Sequence, residues 1–148
     1  MNPRFTLVLT AIALGLPTAG FLINALSAGK LPRKLVSFLG PGVVLGAFVA
    51  TLILMAELLA QPPAGRGVTV VLWHWLNLSV GAHAGVVAKS GFNANLSIRI
   101  DPLSVLMMLV ITGIGGLIHV YSVGYMADDP GYNRFFAYMN LFLSLIHI

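Results

Sequence analysis

The sequence predicts an all-α integral membrane protein: three full transmembrane helices plus a truncated fourth, with a small β-hairpin on the outer face between helices two and three. Three observations carry that expectation. Only 8% of the 148 residues are charged while 58% are hydrophobic, and the mean hydropathy is +0.94. Soluble domains carry roughly 25% charged residues, so this chain cannot cover a globular surface with charge, and lipid must solvate most of it. Residues 5–29, 35–56 and 102–127 each lack Asp, Glu, Lys and Arg. Between the second and third of these runs lies segment 61–100, where polar and apolar residues alternate.

A membrane-spanning helix needs about 20 mainly apolar residues, and all three charge-free runs reach that length. The first, helix 5–29, follows Arg4 and could be mistaken for a signal peptide. Signal cores are only about 7–15 residues long and end near a small-residue cleavage site. This run is longer, and Lys30, Arg33 and Lys34 follow it directly as a stop-transfer pattern. Helix two is expected over 35–60. Cytoplasmic loops carry the excess of Lys and Arg, so the tight basic cluster places the first loop inside. The amino terminus and segment 61–101 then lie outside, although Arg66, Lys89 and Arg99 are scattered through that segment.

In the outer segment, Phe92, Ala94, Leu96, Ile98 and Ile100 alternate with Asn93, Asn95, Ser97 and Arg99, the period of a half-buried strand. Upstream, Val68 to Val80 is rich in Val, Leu and Trp, with Leu76, Leu78 and Val80 alternating against Asn77 and Ser79. The glycine-bearing stretch from Gly81 to Gly91 joins them. Trp73 and Trp75 suit a membrane–water boundary, where an indole buries its ring and keeps its N–H near water.

Asp101 and Pro102 open helix three, expected over 102–127. Aspartate caps by accepting bonds from free first-turn amides, and proline at the first helical position forfeits no bond. Thr112, Gly113, Gly115 and Gly116 give that helix small residues that let neighbours approach closely. The fourth run, 135–148, begins at Phe135 and is too short to cross a bilayer alone.

Composition also excludes functions. The net charge of +4 comes from scattered basic residues, without the continuous basic stripe a nucleic-acid surface needs. There is no cysteine, hence no disulfide, thiolate metal site or cysteine nucleophile. The string ITGIGGLIH is not a dinucleotide fingerprint, since no strand precedes it and no acidic residue follows about twenty positions on. No phosphate loop, nucleophile elbow or paired catalytic carboxylates are present, so no catalytic, cofactor or metal site is assigned. His74 and His83 lie nine residues apart with no carboxylate nearby, which does not make a metal site.

Three proton-path candidates remain. Glu57 is a carboxylate in an apolar run, a costly placement that often marks an ion path. Only four residues separate it from Pro62-Pro63, so reaching the interface is the preferred account. His119 lies about two-thirds along helix three. An imidazole there could relay protons, or could simply be hydrogen-bonded between helices. Asp101 is explained most cheaply as a cap. Tyr121 and Tyr125 share a face near the cytoplasmic end and read as interfacial anchors.

From Ile100 to Phe142 the residues become specific. Asp101-Pro102-Leu103-Ser104, His119-Val120-Tyr121 and Arg134-Phe135-Phe136-Ala137-Tyr138 resemble the antiporter-like membrane subunits. That family includes the largest such subunit of NADH–quinone oxidoreductase and relatives in Mrp-type sodium/proton antiporters. Gly131-Tyr132 and Asn140-Leu141-Phe142 look more like the respiratory branch.

The resemblance implies a subunit of respiratory complex I in a bacterial inner membrane, coupling electron transfer from NADH to quinone to proton translocation. Its partners would be other membrane subunits, the lipid bilayer and protons, with no nucleic acid. NAD and quinone would be used by other subunits, and this chain would bind no cofactor. The alternative implied is a sodium/proton antiporter subunit. Family members continue for many more helices, and no position here matches their buried pumping glutamate or lysines. Residues 1–148 therefore read as an amino-terminal piece of one larger membrane domain, inactive alone. The ending LSLIHI looks unlike the family, an expectation of a truncated or misassembled reading frame.

Overall fold

The computed structural model describes residues 3–27, 30–62, 66–79 and 91–147. Its elements run α1 (Pro3–Leu26), α2 (Arg33–Leu59), β1 (Val68–Ser79), β2 (Gly91–Ile100), α3 (Pro102–Tyr125) and α4 (Tyr132–His147). Among the described residues, three helices are long and apolar enough to cross a membrane: Arg4–Leu26, Arg33–Leu59 and Pro102–Tyr125. The fourth, with 16 residues, extends only about 24 Å at 1.5 Å per residue, short of a hydrocarbon core about 30 Å thick.

The helices run alternately up and down. The α1–α2 and α3–α4 turns therefore share one end, and the hairpin, the start of α1 and the end of α4 share the other. The turn end is tied together by side chains. The Arg33 guanidinium donates to the carbonyls of Ala127 (2.7 Å) and Asp129 (3.3 Å), and Ser37 and Tyr132 share a 2.6 Å hydroxyl–hydroxyl bond.

Buried positions on α1 include Thr6, Leu9, Thr10, Ala13, Pro17, Gly20 and Asn24, a stripe at helical spacing. That stripe is mostly small or polar. The opposite wall is Phe5, Val8, Ile12, Leu22, Ile23 and Leu26, all exposed. In lipid the outward side chains gain nothing by turning inward, so small residues take the helix contacts and allow close approach. At Gly40 an added Cβ would lie 2.5 Å from Phe136 Cδ1, and at Gly115 one would lie 2.8 Å from Leu143 Cδ2. Both crossings hold α4 against its neighbours.

Helix boundaries differ from the sequence expectation by up to three residues. Helix α1 stops at Leu26 rather than 29, where the Ser27 hydroxyl donates to the carbonyls of Ile23 and Asn24. Helix α2 begins at Arg33 because the Pro32 carbonyl accepts from the amides of Leu35 and Val36. Its two basic residues thus belong to the helix, not the loop. Helix α4 begins at Tyr132 rather than 135, after the Asp129 carboxylate accepts from the Gly131 amide at 2.6 Å. In all three cases hydrogen bonding, not hydropathy, sets the end.

The expected hairpin forms. Strands β1 and β2 pair antiparallel, from Val68 opposite Ile100 to Ser79 opposite Gly91, with register shifts at Val71/Trp73 and His74/Leu76. Leu72 and Trp75 are the residues without opposite numbers, so β1 carries two bulges. Directly opposed residues share a face. Val68, Val70, Trp73 and Leu76 thus lie with Ile100, Ile98, Leu96 and Ala94, while Thr69, Val71 and His74 lie with Arg99, Ser97 and Asn95. Ile100 is buried against α1, α2 and α3, with Ile98 packed beside it. The connecting residues, including His83 and Lys89, lie outside the described residues.

Candidate functional site: a buried polar seam

Most buried hydroxyls in the bundle satisfy themselves on their own helix. Thr10, Thr51, Thr112 and Ser122 each donate to the carbonyl four residues earlier, at 2.6–2.9 Å. Such bonds need no partner from another helix. Thr18 on α1 additionally reaches Ser144 on α4 at 2.7 Å.

Three buried side chains behave differently. His119 of α3 is fully buried, and its Nδ1 lies 2.7 Å from the Gly115 carbonyl. A carbonyl oxygen only accepts, so Nδ1 carries the proton and Nε2 is left as the free basic nitrogen. Nε2 has no hydrogen-bond partner among the described residues. Asn140 of α4, also fully buried, sets its amide beside the imidazole without the geometry of a hydrogen bond. Neither its Oδ1 nor its Nδ2 is partnered among the described residues.

Gly20 of α1 makes room for this amide. A Cβ there would lie 3.0 Å from Asn140 Nδ2 and 2.7 Å from Val43 Cγ2. One turn further along α1 is Asn24, whose two amide heteroatoms are likewise buried and unpartnered. Phe136 closes the seam beside His119, with ring centroids 6.0 Å apart. Leaving a buried amide or imidazole nitrogen unpaired costs about 1–3 kcal/mol per group. Five such atoms in three residues mark a polar seam running between α1, α3 and α4.

The three sequence candidates do not converge. Asp101 caps α3: Ser104 N donates to its Oδ1 at 2.8 Å, and Asp101 N donates to Ser104 Oγ at 2.8 Å. Arg99 Nε lies 3.5 Å from its Oδ2. The Ser104 backbone amide, then the Ser104 hydroxyl, hold the Asp101 carboxyl below its ordinary range, with Arg99 adding to the effect. His119 lies 18 residues further along, about 27 Å at 1.5 Å per residue.

Glu57 is half-buried two residues before the end of α2, at the same end as Asp101. Among the described residues it contacts no member of the seam. Tyr121 and Tyr125 stack with centroids 5.9 Å apart on an exposed face, as anchors would. His74 Nδ1 donates to Asn95 Oδ1 at 2.9 Å across the hairpin. Among the described residues no three His, Asp or Glu side chains gather as metal ligands do.

Sequence reasoning missed Asn24 and Asn140. The available signal was a lone amide inside the first and fourth apolar runs, Asn140 four residues from Phe136 on the face that α4 buries.

Apolar walls facing outward and unpaired polar groups between the helices define a polytopic membrane protein with a polar interior. Comparison with known proteins gives the particular family. Residues 87–136 match the family described as NADH-ubiquinone oxidoreductase (complex I), chain 5 N-terminus. Over 128 residues, 86% of this chain, the sequence is 34% identical to NADH-quinone oxidoreductase subunit L of Pseudomonas aeruginosa, covering 19% of that protein. The subunit L of Mycobacterium tuberculosis is 35% identical over 91% of the chain, covering 19% of that protein. That of Escherichia coli is 34% identical over 90%, covering 20%. The chain belongs to the NADH-quinone oxidoreductase subunit L family, and it spans about a fifth of the length of the curated relatives it matches. These names favour the respiratory branch of the resemblance over the antiporter branch.

Proposed function

We propose that this chain serves in the membrane part of a proton-translocating NADH–quinone oxidoreductase, at the side of other membrane subunits in a bacterial inner membrane. Oxidation of NADH and reduction of quinone take place in other subunits. The contribution of this chain is the seam, where Nε2 of His119 offers a basic nitrogen inside a membrane-spanning bundle. That nitrogen, buried and without a hydrogen-bond partner among the described residues, is the observation that carries the reading. A histidine so placed can accept a proton on Nε2 while Nδ1 stays bound to the Gly115 carbonyl.

The hairpin and the amino terminus face outward, and the turn end with Lys30, Arg33, Lys34 and Arg134 faces the cytoplasm, as the positive-inside rule favours. The absence of cysteine makes orientation directly testable, because an introduced cysteine is unique among these 148 residues. Trp75→Cys is expected to react with a membrane-impermeant maleimide from outside intact cells, and Lys34→Cys only after lysis. The reverse pattern rejects the orientation.

The functional test is His119→Ala in vesicle-embedded, assembled oxidoreductase carrying this chain. Proton uptake per NADH oxidised should fall while the amount of assembled enzyme is unchanged. Normal pumping with normal assembly would show that His119 only packs.

A further inference from the structure

A cavity of about 610 Å³ opens at the turn end, between the last turns of α1 and the first turns of α4. Its size falls within the range of about 300–1,000 Å³ typical of small-ligand sites. Arg33 and Arg134 line it, together with Asn24, Asn133, Phe21 and Leu31. We propose that this cavity seats the phosphate-bearing headgroup of an anionic glycerophospholipid. The inference goes beyond the proton role of the seam and shares only Asn24 with it.

The Arg33 guanidinium is held by two neutral carbonyl oxygens and lies 6.0 Å from the centre of the Tyr132 ring. These contacts fix its position without cancelling its charge. Arg134 has no ion pair among the described residues, and the pair of Arg99 with Asp101 lies at the opposite end. Four basic residues, Lys30, Arg33, Lys34 and Arg134, face two carboxylates, Asp128 and Asp129, at this end, so its field favours an anion.

Asn24 adds a feature that a merely solvated basic patch lacks. It is 3% exposed, lines the cavity, and has neither Oδ1 nor Nδ2 partnered among the described residues. Its Nδ2 can donate to a phosphate oxygen at the cavity floor, with guanidinium groups closing from the rim. Beside the cavity run Leu22 and Leu26, both exposed, along the lipid-facing wall of α1. A headgroup held here would lay its acyl chains against that wall. This continuity favours a lipid over a free phosphate, and basic pockets between membrane helices are a recurrent way of holding anionic headgroups.

The test uses the chain purified in a neutral detergent and exposed to equal amounts of phosphatidylglycerol and phosphatidylcholine, with retained lipid counted by native mass spectrometry. Phosphatidylglycerol should be retained about tenfold over phosphatidylcholine, the scale of one charge-assisted hydrogen bond. Arg134→Gln should bring the ratio close to one, while Arg99→Gln, at the far end, should leave it unchanged. Asn24→Asp places a carboxylate against the headgroup and should reduce the ratio at least as far. Circular dichroism of each variant separates lost binding from lost helix, and either of the two cavity variants decides the matter if the other unfolds. Equal retention of the two lipids, or an unchanged ratio in a folded Arg134→Gln or Asn24→Asp variant, overturns the proposal. Displacement of the lipid by excess inorganic phosphate, but not by chloride of equal ionic strength, would reassign the cavity to a free anion.

Discussion

The two ends of the bundle are built on opposite plans. Next to the hairpin, Leu9, Ala13, Ala50, Leu54, Leu58, Ile100 and Val105 form a buried apolar cluster. The hydroxyls of Thr10, Thr51 and Thr112 close onto their own helices. Towards the turns, Val36, Tyr132 and Phe136 make a smaller cluster, and His119, Asn140 and Asn24 carry polar atoms with no partner among the described residues. One end is an apolar core that fixes the fold. The other accepts a stability cost to keep polar groups between its helices. Helices that span lipid can tolerate such a division because their association rests on close packing rather than on a hydrophobic drive between them. A well-packed end leaves the other free to keep expensive groups.

This contrast can be attacked most forcefully at Leu54, which is fully buried in the apolar end. Leu54→Ala should cost about 2–5 kcal/mol, the range for leucine deletion in a close-packed core. Unfolding in mixed micelles, followed by loss of helical ellipticity, measures it. A cost below about 1 kcal/mol would mean that this end is loosely packed and the division false.

The opposite sign is expected at the polar end. Asn140→Leu replaces an unpartnered amide by an apolar group of similar size and should stabilise the chain by about 1 kcal/mol. A loss of comparable size would show that the amide is bonded in the folded protein, which would sharpen the role of the seam as a connected network. The smallest effect concerns Asp101, at the boundary of the apolar end. Asp101→Asn removes the carboxylate but keeps an amide able to cap, so it should lower the unfolding midpoint by less than Leu54→Ala does.

The pH dependence of that difference has a definite sign. The folded carboxyl lies below its ordinary value of 3.8, so ionised Asp101 stabilises the fold above pH 3.8. The advantage over Asp101→Asn is lost as pH falls from 3.8 through the folded value. A difference that persists unchanged to lower pH would separate the cap from its charge.

Much of the architecture was legible because lipid imposes a strict rule. Charge-free runs of the right length located three helices, and Asp101-Pro102 marked the start of α3 to the residue. The basic residues at Arg33 and Lys34 misled, because charge was read as loop when Pro32 had already started the helix. The hairpin was legible from β2, whose alternation is regular. In β1 the run Val70 to Trp75 is apolar except for His74, so a period of two leaves no trace there and the bulges were invisible.

His119 was visible because one imidazole in an apolar helix is conspicuous. The seam was not, because it depends on α1 and α4 meeting across Gly20, a contact that separate readings of the two helices do not reveal. Glu57 and Asp101, read from the sequence as an interface residue and a cap, sit at the hairpin end, with Asp101 about 27 Å along α3 from His119.

The two bulges of β1 also bear on how this hairpin can vary. Leu72 and Trp75 have no opposite numbers on β2, so the strand carries two spare letters. Between them Trp73 and His74 keep their pairs, and the apolar face runs through Val70, Trp73 and Leu76 in steps of three rather than two. Losing Leu72 would delete a residue without breaking a single cross-strand pair. Losing Val70 or Ser97 would shift a whole flank onto the wrong face. The hairpin is thus tolerant of length change at two defined positions and intolerant on either side, so natural drift in its length should collect at those two points.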